Sequence, residues 1–262
     1  MNHLRLCCLA LCVLLACACA RQPATLPPEQ ADAVWQRYLA AASPALPAAS
    51  RYQLSLRFGR EGDSHRVTAL MWGNGNGPLR LDIMAGVGVS VAKIMETETD
   101  FLIYAPHEGR AYSHEGPQKP LLKVGLPIPL QLSHVFSLLD GEYAALFGER
   151  HGKAALDGEG VPSFQLLDGP LTGSLSLRND GLPSLWKQDG GRGWTMRILY
   201  TDDARPLPRR MELHHADGHD AVLLVKSREH PDVPFSEERL RLPLPEGTPV
   251  LPLSQYRDIR SR

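Results

Sequence analysis

No cysteine follows residue 19 in this 262-residue chain; Cys7, Cys8, Cys12, Cys17 and Cys19 are the full set. That excludes a disulfide framework, a thiolate zinc site and a cysteine nucleophile from the body of the protein. Charge of one sign is lacking as well. Lys and Arg number 28 against 29 Asp and Glu, a formal net charge of −1, so the chain has no overall electrostatic footprint for nucleic acid. The uncharged apolar run at residues 6–16 is too short to cross a bilayer as a helix. There is no internal repeat and no low-complexity tract. What remains, 43% hydrophobic and 22% charged, is the composition of a globular protein.

What is present begins with a basic start, His3 and Arg5, ahead of the apolar run. Residues 1–16 read as a signal peptide. The run ends in Leu14-Leu15-Ala16-Cys17, which resembles the bacterial lipobox. In that motif a Leu three residues before a Cys and a small residue just before it direct diacylglyceryl transfer to the thiol. The resemblance implies cleavage before Cys17 and its acylation, with Cys19 as the alternative register. Neither Ala18 nor Ala20 is the Asp that favours inner-membrane retention in enterobacterial lipoproteins. The expected location is therefore the outer membrane, lipid-anchored and facing the periplasm.

Residues 17–28 read as a lipidated tether and residues 29–262 as one domain. Ala31, Val34, Trp35, Tyr38, Leu39 and Ala42 share one face of a helix over 29–42. From Arg51 the period switches to two. Alternating runs at 52–58, 67–71, 79–83, 87–91 and 101–105 are separated by Gly-, Asn- and Asp-rich turns, the mark of an antiparallel meander. After a proline break at 126–130, Ser133 is placed to cap a short helix carrying Val135, Phe136, Leu138 and Leu139. Further strands are expected at 164–167, 173–178, 193–200, 209–215 and 221–227. The Pro-rich extension at 229–262 offers one more at 239–242. Curling such a sheet around the first helix buries its apolar face, and space the helix leaves unfilled becomes a ligand cavity.

Three motifs invite chemistry, and each has a plainer explanation. Gly88-Val-Ser90-Val-Ala92 is one residue from a nucleophile elbow, but valines on both sides of Ser90 favour a strand where the elbow needs a sharp turn into a helix. Gly73-Asn-Gly-Asn-Gly77 is followed by a strand pattern instead of the helix N-terminus that a phosphate loop requires. With Asp217-Gly218 as a two-residue turn, His215 faces Asp220, and His214 and His219 fall diagonally on one face. Two imidazoles without a third ligand make a weak metal site. No metal, no cofactor and no catalytic residue is assigned, and the protein is not expected to be an enzyme.

The order of three further stretches resembles the LolA/LolB family of periplasmic lipoprotein carriers and outer-membrane lipoprotein receptors. The first is Ala69-Leu-Met-Trp72, Pro78-Leu-Arg-Leu-Asp-Ile and the Gly86-Val87-Gly88 turn. The second is Gly125-Leu-Pro-Ile-Pro-Leu130 with its short helix and Gly141. The third is Gly193-Trp194 to Tyr200, then Pro208 to Leu213 and the Asp217-Gly218 hairpin. The resemblance implies a mainly β fold: a half-open antiparallel barrel with an N-terminal helix and short lid helices around an apolar cavity for acyl chains. It implies that lipoprotein acyl chains and a LolA-like periplasmic carrier are partners of a monomeric protein. It places Val87 where the receptor's protruding apolar residue touches the membrane. Trp72, Phe136 and Trp194 take positions of cavity aromatics, and Leu54, Leu56, Leu81, Ile83 and Phe101 are expected to line the cavity with them. Three functions follow in order: a LolB-like receptor that inserts lipoproteins, a scaffold or assembly lipoprotein of the same fold, and a hydrolase using Ser90 or the histidine pair.

Overall fold

The structure, a computed structural model, describes residues 26–256 apart from 76, 87, 117–119, 127 and 205. Cys17, Cys19 and Val87 lie outside the described residues.

The first helix, α1 (Pro28–Ala42), starts on a proline with its fixed φ and buries Ala31, Val34, Trp35, Tyr38 and Ala42. Six strands follow as a meander: β1 (Ser50–Arg60), β2 (Asp63–Gly73), β3 (Leu79–Ala85), β4 (Val89–Glu96), β5 (Asp100–Ala105) and β6 (Arg110–Glu115). Three short helices come next: α2 (Pro120–Lys123), α3 (Leu132–Asp140) and α4 (Ala144–Phe147). A second meander then runs through β7 (His151–Leu156), β8 (Pro162–Leu166), β9 (Ser174–Leu177), β10 (Pro183–Lys187), β11 (Trp194–Tyr200), β12 (Pro208–His215) and β13 (His219–Glu229). The C-terminal segment adds α5 (Glu237–Leu240) and β14 (Val250–Pro252).

All fourteen strands join one open sheet in the order β14-β6-β5-β4-β3-β2-β1-β13-β12-β11-β10-β9-β8-β7. The two meanders meet where β1 pairs antiparallel with β13, Leu56 opposite Leu223. Every pairing is antiparallel except β14 on β6. The mainly β expectation is met, with the sheet open at both edges.

Alternation sorts the strands into two faces. Tyr52, Leu54, Ala69, Met71, Leu81, Ile83, Ile94 and Ile103 belong to the main core. The intervening Trp72 and Arg80 face the other way. Helices α1 and α3 cover the core face. On the second meander the Trp35 ring lies against His151 and Phe164, and Tyr38 donates to the Gly148 carbonyl at 2.7 Å. Gly181 lets this helix approach: a Cβ there would stand 2.5 Å from the Arg37 carbonyl carbon, at a φ of +87°.

Four local readings change. Residues 239–242 do not form a strand; α5 ends at Leu240, and the edge strand lies later, at β14. Strands β6, β7 and β10 have weak alternation and were not expected from the pattern. Ser133 does not cap α3: its own amide and that of Leu132 donate to the Glu96 carboxylate. The last hairpin is shifted, so that His214 and not His215 stands opposite Asp220.

Candidate apolar ligand site

The hairpin turns at 61–62, 86–88 and 106–109 all lie at one end of the first meander. The core face is covered differently at its two ends. At the end away from these turns, α3 crosses the sheet and is tied down at both termini. Glu96, on β4, accepts from the Leu132 and Ser133 amides at 3.0 and 2.7 Å. Asp140, the last residue of α3, accepts from Ser50 at 2.9 Å and from the Tyr52 hydroxyl, both on β1. Gly141 then ends the helix in the left-handed region, at φ 84°. Burial raises the Glu96 carboxyl above its usual range, opposed by the two amides. Burial raises Asp140 too, against the Tyr52 and Ser50 hydrogen bonds. His230 approaches the same group, 3.0 Å from the Ser50 Oγ.

At the hairpin-turn end, among the described residues, no helix lines the sheet surface, and a cavity of about 190 Å³ remains. Its floor is Val67, Ile83, Ala85, Val91, Ala92 and Ile103, and its roof is residues 124–126. Phe58 and His65 stand at one side and Tyr256 at the other. The roof follows from local sequence: the short α2 ends and the Leu126 amide turns back to the Leu121 carbonyl at 3.0 Å. Val124 and Leu126 are thereby pressed downward and buried. Apart from His65, Arg66 and the Tyr256 hydroxyl, the side chains of this lining are apolar, the kind of surface that holds hydrocarbon. Val89, at the turn beside the cavity, is 66% exposed.

Of the expected cavity residues, Ile83 lies on the floor. Leu54, Leu56, Leu81 and Phe101 are buried in the core around it but do not line it. Phe136 packs edge-on against Tyr52, 5.7 Å between ring centres, under α3. Trp194 stacks near His215 at the start of β11. Trp72 is on the opposite face, because Met71 takes the inward position. There it meets Phe235, Leu240 and Ala49 of a second, smaller apolar cluster.

That cluster belongs to the C-terminal segment, which crosses the outer face like a strap. Asn74 exchanges two hydrogen bonds with the Phe235 backbone, at 2.9 and 2.8 Å. The Arg80 side chain, 5% exposed, donates to the Arg241 carbonyl, pairs with Asp82 at 3.0 Å and lies 5.0 Å from the Trp72 ring. The strap then pairs β14 with the free edge of β6 and returns to the core face, where Tyr256 closes the cavity. Sequence reasoning missed Tyr256, although an aromatic residue late in a Pro-rich tail was a visible oddity.

The remaining motifs do not converge on a site. Ser90 is within strand β4. The Gly73–Gly77 turn leads into β3. His214 bonds Asp220, whereas His215 and His219 both bond Asp217. Those imidazoles pull the Asp217 carboxyl far below its usual range. Among the described residues no group of three or more His, Cys, Asp or Glu could hold a metal.

No protein-family model and no curated protein matches the chain. Solved structures do. A LolA superfamily protein from Nitrosomonas europaea aligns with a TM-score of 0.52 at 13% identity, over 81% of this chain and 97% of its own. A DUF1329 family protein from Desulfovibrio piger gives 0.53 at 13%, over 81% and 96%. A protein described as an outer membrane lipoprotein-sorting domain, from Vibrio parahaemolyticus, gives 0.50 at 12%, over 80% and 95%. At these identities the likeness is one of architecture, and the architecture of this chain is the LolA-type fold.

Proposed function

We propose that this protein is an envelope lipoprotein that binds acyl chains beneath residues 124–126 and passes lipoproteins from a LolA-like periplasmic carrier to the outer membrane. The observation that carries the reading is the apolar cavity at the uncovered end of the first meander. The fold shared with a described lipoprotein-sorting domain supports it. In this reading residues 1–16 are removed, Cys17 carries the lipid anchor, and residues 17–28 tether the domain to the membrane. No bond to the cargo is made or broken. Each methylene withdrawn from water contributes about 0.8 kcal/mol, so cargo moves toward whichever site buries more of its hydrocarbon. The 86–88 turn, with Val87 at its centre and Val89 exposed beside it, is the proposed membrane contact.

The test is transfer. A form lacking residues 1–16, with Cys17→Ser and Cys19→Ser, is mixed with a carrier loaded with a labelled lipoprotein. Recovery of the label on this protein supports the receptor reading. Binding of free lipid without uptake of lipoprotein removes it. One observation favours a second reading, a scaffold of the same fold without transfer activity: about 190 Å³ is below the range of ~300–1,000 Å³ usual for ligand pockets. Absence of any bound lipid, together with normal envelope assembly only when the protein is present, would favour the scaffold.

A further inference from the structure

We infer that Tyr256 sets how long an alkyl chain the cavity accepts; the inference rests on the reading of that cavity as an acyl-chain site. The cavity is a slot that runs across the strands. Phe58 and Val67 stand on β1 and β2, Ile83 on β3, Ala92 on β4 and Ile103 on β5, and these strands are consecutive neighbours. With about 4.8 Å between neighbouring strands, such a floor extends on the order of 20 Å. The next strand, β6, would lengthen it further. The Tyr256 ring prevents this. It stands edge-on over Tyr112 of β6, with 5.0 Å between ring centres and 85° between planes. It is 8% exposed and forms the wall of the slot on that side.

The position of the ring is fixed by backbone pairing. Leu251 is in register with Tyr112, the Ala111 amide donates to the Pro249 carbonyl at 2.9 Å, and Leu253 is buried in the core. A single 3₁₀ turn, Leu253–Gln255, then delivers Tyr256 to the core face. The stop is thus held by an edge strand, and its side chain alone decides where the slot ends. A benzene-sized space, on the order of 150 Å³, is what removal of this ring would add to a cavity of about 190 Å³. The ligand class that such a slot measures is a single straight alkyl chain, with its polar head at the side opposite Tyr256, beside His65 and Arg66.

The experiment is calorimetric titration of straight-chain alkyl carboxylates, hexanoate to hexadecanoate, into the form with Cys17→Ser and Cys19→Ser. While each added methylene is buried, Kd falls about fourfold per carbon. It stops falling at the length that fills the slot. Tyr256→Ala is expected to move that length to longer chains, and Tyr256→Trp to shorter ones. Binding by Tyr256→Ala where the parent protein binds nothing also supports the stop. A limiting length unmoved in both variants overturns the inference and leaves the acyl site standing. No binding by the parent and by Tyr256→Ala overturns both. Thermal unfolding is recorded alongside, and if Tyr256→Ala loses its cooperative transition, the shift with Tyr256→Trp decides.

Discussion

Two side chains on one strand show how alternation divides the work at the residue scale. Ile83 and Arg80 are three apart on β3, so they face opposite sides of the sheet. Ile83 is floor to the cavity; Arg80 is anchor to the strap. The alternation was legible in the sequence, and it placed Leu54, Leu56, Leu81 and Ile83 on one face. It could not show which of them border empty space, because a void is a property of the facing elements. Trp72 was misread for a related reason. Its own alternation puts it outward, but an outward tryptophan looks unfavourable until the strap that covers it is seen. Filling the cavity is the direct residue-level test. Val91→Phe is expected to weaken alkyl-chain binding at least tenfold while costing ~1–3 kcal/mol of stability, read by titration and by thermal unfolding. On the other face, Arg80→Ala removes a buried cation from Asp82 and the Arg241 carbonyl. A loss of about 3 kcal/mol is expected in chemical denaturation, with alkyl binding retained.

Among the elements, α3 shows what periodicity can and cannot predict. Its apolar face and its Gly141 terminator were readable, since Val135, Phe136, Leu138 and Leu139 and a glycine at the end are local signals. The capping group was not readable, because Glu96 is 36 residues earlier in the chain. Strands β6, β7 and β10 escaped notice because their burial does not alternate cleanly. The buried Glu96 makes the helix dock with a pH signature. Its folded value is raised by burial, so its protonated form suits the fold better than its ion. The stability it contributes is complete below the ordinary glutamate value of about 4.3 and is lost as pH rises through the raised one. Glu96→Gln cannot ionise and keeps an acceptor for one of the two amides, which donate to different carboxylate oxygens. Relative to that variant, the parent protein is expected to lose thermal stability as pH rises from about 4 to 7; a constant difference in Tm across the range would refute the assignment.

On the scale of the whole molecule, one sheet carries two meanders, and the strap fastens the outer face of the first. The fold class and the N-terminal helix followed from the switch of period at Arg51 and from the order of motifs. The strap did not, because its contacts are held by backbone groups: Phe235 to Asn74, Arg241 to Arg80, Pro249 to Ala111. Backbone partners leave no residue type to recognise. Deleting residues 230–262 is expected to remove on the order of 3–6 kcal/mol for Phe235 and Leu240 alone. It also bares Trp72 and the edge of β6, an invitation to pairing between chains. Light scattering is expected to show oligomers of the shortened form at concentrations where the full chain gives none.

The seam between β1 and β13 also imposes an order of events in time. Every other antiparallel pair in the sheet joins strands consecutive in the chain, so those hairpins can close as they are made. Strand β1 emerges from the ribosome among the first, finds β2 at once, and must wait for its second neighbour until residue 229 has been added. Throughout that interval it presents an unpaired flank, the kind of surface that draws premature association. The longest-range closure of the sheet therefore comes with the last strand of the second meander.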